Sequence, residues 1–493
     1  MRLSLTFAAA IGALALAPGA LGAPATFANP FADGQTVLAE RGAAADATTT
    51  LVYATEKNDE AGPQVTLRLG PDWASVETDG ESTIGLYDYA TGRIFSIDGT
   101  GIRFGSLPLS AGVAARVQER QNRDFLSNGL GTFIPNVARR CDQDAELGVS
   151  VPPDTPDPMV SVARDDGVIT VICEDTTLAR LRFRPGTVPA SFASTVSSMV
   201  ALHPKASEAL ITANELPELI ETEYRDLAGQ VTHRHRWTLL SREEARSSYP
   251  LRSTMRSQTL SDLTDAIGET LAQVALDAVN GSADSEPPDI ASVTGELDAL
   301  LADDRADEAA MLFMARVAQV PALMEQCATS TEGICRALAP LRTRADGGVA
   351  ATYMQIITAE QTNQGLDAAI SASAAIKDAP GVASPAFQQS LALALVRGGR
   401  EAIDQARGTG LPHDPIAMMR QNLKAQPYHP GFWVDLSDRY TEDYDTATAY
   451  RLIEVAWSLP VPGARAPDTP QVGRERFAQR LRADFPAFFG PAP

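Results

Sequence analysis

The sequence predicts an α+β, two-domain protein, with an antiparallel β-rich domain in front and an all-α domain behind. Two observations carry this. Between positions 49 and 103, short alternating runs are separated by Gly62-Pro63, Gly70-Pro71-Asp72, Asp79-Gly80, Thr91-Gly92 and Asp98-Gly99, the pattern of strands joined by tight turns. After Tyr249-Pro250 that punctuation stops, and apolar residues recur at helical spacing, as in Leu260, Leu263, Ile267, Leu271 and Val274.

The front domain spans 49–250. Strands are expected over 50–54, 65–69, 75–77, 83–89, 94–97 and 102–104, then a helix over 111–130, where Val113, Val117 and Phe125 alternate with polar residues. Strands resume over 159–163, 168–173 and 178–183, followed by short helices over 192–202 and 206–213. A last hairpin pairs 219–225 with 231–240. Helices laid on such a sheet make an α+β or partly open barrel arrangement. A flexible segment, 23–48, leads into it.

A helix over 260–276 and a polar linker fill 251–288, and 289–466 reads as helices joined by short loops. The tail, 467–493, holds one short helix and ends in Phe485, Phe488 and Phe489, which are expected to dock onto the helical array.

Within 430–463 lie Trp433, Leu436, Ser437 and Tyr440, then Ala449, Ile453 and Ala456. Spacings of three, one and three, then four and three, place each set on one helical face. The small Ser437, Ala449 and Ala456 let two antiparallel helices approach closely. This order of large and small residues resembles the tetratricopeptide repeat, a two-helix unit of about 34 residues. The resemblance implies a TPR-like helical repeat over 289–466 and a protein partner held by it. The matched residues are packing residues. The first helix offers Val434, Asp435, Asp438 and Arg439, so the basic clamp that some members use for a carboxylate terminus is not carried over.

Arg2 precedes an apolar run from Leu5 to Ala17, broken by Pro18-Gly19 and followed by Ala20 and Gly22. The run is short for about 30 Å of hydrocarbon and ends in small residues. It reads as an export signal, 1–22, cleaved after Gly22, which places the protein in the periplasm or secreted space, and no later segment is apolar enough to be an integral membrane span. The net charge of -21 repels phosphate backbones, so nucleic acid is not an expected partner. Four cysteines, Cys141, Cys173, Cys327 and Cys335, favour disulfides in an exported chain. Three pairings are possible, of which the sequence-local one joins Cys141 to Cys173 and Cys327 to Cys335.

Catalytic signatures are missing. Gly80-Glu81-Ser82-Thr83-Ile84-Gly85 is one residue too long for a nucleophile elbow, and no phosphate-binding loop ends in Gly-Lys-Ser or Gly-Lys-Thr. His233 and His235 share one strand face with Val231 and Trp237. A metal there would need a third ligand, for which Glu221 and Glu223 on the neighbouring strand are the candidates. The plainer reading is a polar face with cross-strand charge pairs, since Arg225, Arg234 and Arg236 lie close by.

The expectation is therefore an exported, non-enzymatic binding or scaffold protein without a cofactor, using the helical domain for a protein partner. The front domain, a meander with helices across it, also resembles in outline the open-barrel periplasmic carriers that shelter acyl chains. That implies an apolar ligand or lipid as the alternative, and a metal-dependent hydrolase at His233 and His235 is the third.

Overall fold

A computed structural model describes residues 29–42, 47–130, 139–153, 157–213, 215–226, 230–282, 287–343, 348–362, 364–461 and 470–490. The expected signal, 1–22, lies outside them. The chain divides into two compact units. One comprises Phe31–Thr259 with the segment from Glu475 onward, and the other is built on Leu260–Arg474.

The first unit is a 12-stranded sheet. Its strands are β1 (Ala47–Lys57), β2 (Glu60–Leu69), β3 (Trp73–Thr78), β4 (Ile84–Asp88), β5 (Arg93–Ile97) and β6 (Arg103–Pro108), then β7 (Val160–Asp165), β8 (Val168–Cys173), β9 (Thr176–Arg184), β10 (Leu216–Arg225), β11 (Val231–Arg246) and β12 (Arg256–Ser257). The order is β12-β6-β5-β4-β3-β2-β1-β11-β10-β9-β8-β7. Two meanders thus meet where β1 pairs with β11, from Ala47 opposite Arg246 to Lys57 opposite His235. The expected sheet is purely antiparallel, but two-residue β12 runs parallel to β6, because the chain returns to this edge through a loop rather than a hairpin.

Among the described residues five helices lie within this stretch: α1 (Gly34–Arg41), α2 (Leu109–Leu130), α3 (Arg140–Leu147) and the pair α4 (Ser191–Met199) and α5 (Pro204–Ala213). Sheet residues Leu51, Tyr53, Leu67, Val171 and Leu181 pack with Cys141 and Ala145 of α3, Phe192 and Val196 of α4, and Ala206 and Leu210 of α5 in one buried cluster. Helix α1 falls in the segment expected to be flexible. Asp33 caps it by accepting from the Thr36 amide, and its Val37 packs with Trp73, Phe95 and Phe104. Gly34 is required there, since a Cβ would come within 2.2 Å of the Arg252 carbonyl oxygen.

The tail corrects another expectation. Phe485, Phe488 and Phe489 are buried, but in the sheet unit and not on the helical array. The Gly490 amide donates to Ser194 Oγ at 2.9 Å, and the Arg116 guanidinium lies over the Phe488 ring at 5.1 Å.

The second unit is helical. Residues 260–276, expected as one helix, form α6 (Thr259–Ile267) and α7 (Glu269–Val279), because Gly268 at φ 87° breaks the run. Then come α8 (Ile290–Ala302), α9 (Ala306–Arg316), α10 (Ala322–Cys327), α11 (Ala339–Thr343), α12 (Val349–Thr362), α13 (Leu366–Ala375), α14 (Pro385–Thr409), α15 (Pro415–Ala425), α16 (Pro430–Glu442) and α17 (Thr446–Ser458). Each helix from α12 to α17 packs on its successor. Three of them begin with a capping side chain followed by proline: Ser384-Pro385, Asp414-Pro415 and His429-Pro430. The cap satisfies a free amide while proline at the first position lacks one to satisfy. Asp445 caps α17 by accepting from the Thr448 amide at 3.2 Å.

Candidate functional site

Strand alternation decides the fate of the histidine pair. In the β10–β11 register, His233 lies opposite Tyr224 and His235 opposite Thr222, whereas Glu221 faces Arg236 and Glu223 faces Arg234. The expected third ligands therefore project from the other side of the sheet. The two imidazoles stack with each other and with Tyr224, at ring-centroid distances of 4.9 Å between the histidines and 4.6 Å from Tyr224 to His233. Burial holds both below the ordinary histidine pKa, with Lys57 reinforcing it at His233 and His233 and Lys57 doing so at His235. Among the described residues no group of three His, Cys, Asp or Glu is placed to hold a metal.

The opposite face carries a ladder of ion pairs. Arg236 donates to Glu221 at 2.7 Å and to Glu56 at 2.9 Å, Arg234 to Glu223 at 2.8 Å, and Arg225 also to Glu223. Arg180 reaches Glu221 at 3.4 Å. Glu56, Arg180, Glu221, Glu223, Arg234 and Arg236 line a groove of about 270 Å³. Each of these six charges already has an opposite neighbour, so the groove reads as cross-strand stabilisation of a solvated sheet face.

In the helical unit, Trp433, Leu436, Ser437, Ala449, Ile453 and Ala456 are buried, and Tyr440 is partly so. Ser437 Oγ donates to the Ala449 carbonyl at 2.8 Å, locking α16 to α17. Trp433 Nε1 donates to the Pro427 carbonyl at 2.8 Å, fixing the loop before α16. Tyr440 donates its hydroxyl to the Ala266 carbonyl at 2.8 Å. All seven residues build the structure.

Asp435 and Asp438 stand one turn apart on α16 and are partly buried. Asp435 accepts from Gln389 Nε2 at 2.7 Å, and Asn422 Nδ2 holds the Gln389 oxygen at 3.0 Å. Burial pushes the Asp435 carboxyl up to about 7, with Glu360 adding to the rise against the Gln389 bond. Asp438 is also pushed up to about 7, first by burial and then by Asp435 and Glu442. No arginine or lysine is among the groups acting on either. Among the described residues these two carboxyls on α16 thus have no counter-cation, a feature visible in the sequence only through the acidic character of that helix.

The cysteines form Cys141–Cys173 in the sheet unit and Cys327–Cys335 in the helical unit, the sequence-local pairing. No helix among the described residues is long and apolar enough to cross a membrane. Comparison with known proteins finds no matching family model and no matching curated protein.

Proposed function

We propose that the protein is an exported, non-enzymatic binding or scaffold protein that holds a protein partner through its helical unit. The observation that carries this reading is the stack of helices α12 to α17, in which Asp435 and Asp438 of α16 have no cation among the described residues. Stacked helix pairs offer an extended face to a partner. A lysine or arginine from that partner would find two carboxyls whose ionisation the fold itself disfavours, and would stabilise their charged form. The disulfide in each unit supports an oxidising compartment and so export. The carrier alternative has less to rest on, because the helix-covered face of the sheet is filled by the side chains of α3, α4 and α5.

The test places a photo-crosslinking amino acid at Val434, a partly exposed neighbour of Asp435, in cells that export the protein. The expected result is one saturable polypeptide adduct that is lost when Asp435 and Asp438 are both changed to asparagine. No adduct, or one indifferent to the double change, contradicts the reading.

A further inference from the structure

A second cleft, of about 220 Å³, lies wholly in the helical unit, between α8, the end of α9 and the loop joining α15 to α16. Glu296 and Ser292 of α8 line one side, and Arg316, Gln319, Gln426 and Tyr428 the other. The second wall is fixed. Gln319, Gln426 and Tyr428 are 2%, 5% and 2% exposed. The Gln426 amide is bound to the Asn422 carbonyl at 2.8 Å, Trp433 holds Pro427, and His429 stacks on Phe432 with ring centroids 3.8 Å apart.

The polar groups of this cleft are incompletely matched. Arg316 donates from Nη1 to Gln319 Oε1 at 3.0 Å, yet its Nε is buried without a protein acceptor, and so is Gln426 Oε1 without a donor. Among the described residues Arg316 has no carboxylate within ion-pair distance and Glu296 has no cation, although both line the same cleft. A buried donor and a buried acceptor without partners call for an explanation in a folded protein. The opposite charges set apart across the cleft supply one.

We propose that this cleft binds a free α-amino acid. The carboxylate takes the Arg316 guanidinium, including its Nε, in the two-point geometry that arginine offers to carboxylates. The ammonium lies toward Glu296 and donates to Gln426 Oε1. The volume is below the roughly 300–1,000 Å³ typical of drug-sized ligands, which selects a molecule of amino-acid size. The neutral amides of Gln319 and Gln426 fix orientation without adding charge, so the site matches a zwitterion in place of an anion or a cation.

Calorimetric titration of the full chain with each of the common amino acids tests this, followed by the N-acetyl and decarboxylated forms of the tightest binder. At least one amino acid binds saturably, and both blocked forms bind at least about tenfold more weakly. Arg316→Gln and the exposed change Glu296→Gln each weaken binding to a similar degree, while circular dichroism stays that of the parent. A dipeptide binding as well as its free C-terminal amino acid moves the site to peptide termini and overturns the free-ligand assignment. Acetate binding as well as the amino acid reduces the site to a carboxylate pocket. Absence of binding by every amino acid, or binding unaffected in Glu296→Gln, overturns the proposal outright.

Discussion

The two units treat buried charge differently. In the sheet unit it is consumed by structure. Arg120 and Asp144, both fully buried, meet at 2.6 Å, and Arg120 also reaches the Gln143 oxygen at 3.1 Å. Arg41 of α1 bridges Asp88 at 2.8 Å and Asp72 at 2.7 Å, with its guanidinium 4.4 Å from the centre of the Tyr249 ring. In the helical unit some charges are paired, as Arg451 is with Asp262, but Asp435 meets Gln389 and Glu360, Asp438 meets Asp435 and Glu442, and Arg316 meets Gln319. A charge that already has its partner holds the fold and has nothing left for a ligand. One that lacks a partner costs stability until something binds it.

Breaking the sheet unit's pairs is the severest test of this contrast. Arg120→Ala takes from buried Asp144 its closest cation and leaves it only the Ser150 hydroxyl and Arg140 at 3.8 Å, and a loss of about 3 kcal/mol is expected in chemical denaturation. A near-neutral result would mean that the pair contributes nothing to holding α2 on α3. The disulfides come next. Their sequence separations are 32 and 8 residues, so chain entropy gives about 4 kcal/mol for Cys141–Cys173 and about 3 kcal/mol for Cys327–Cys335. Paired serine replacements should lower stability in that order, and the reverse order would place tighter constraint in the helical unit. Smallest of all is the ladder: Glu223→Gln removes the partly buried carboxylate shared by Arg234 and Arg225 at the edge of a solvated face, and a change of about 1 kcal/mol is expected, shrinking further in high salt. A large loss there would make the groove more than a solvated face.

The sequence made the alternating strands, the hairpin of β10 and β11 and the stacked helices legible because each rests on local periodicity and local turns. Helix α1 is hidden from such a reading, as its partners lie far along the chain: Asp72 and Asp88 for Arg41, and the Met255 carbonyl, which accepts from the Gly34 amide at 2.9 Å. The docking of Phe485 and Phe488 was misassigned for the same reason, since nothing near them in sequence names Arg116 or Ser194. The histidine pair was found by spacing, but its supposed ligands failed on register: one residue's shift sends Glu221 and Glu223 to the other face. The cleft around Arg316 could not be read at all. It joins Glu296, Arg316 and Gln426 across more than a hundred residues with no motif among them.

The contrast between spent and open charge is tested most directly by the pH dependence of thermal unfolding, comparing the parent with Asp435→Asn/Asp438→Asn. Both carboxyls have folded pKa values near 7, above their unfolded value of about 3.9. The folded state therefore binds the extra protons, and stability falls as pH rises from about 4 to about 7. The double variant should match the parent near pH 4 and melt higher at pH 8, by roughly 2–4 °C for each kcal/mol of relief. A variant that melts lower than the parent at pH 8 would mean that these charges already serve the fold, and the distinction between the two units would fail.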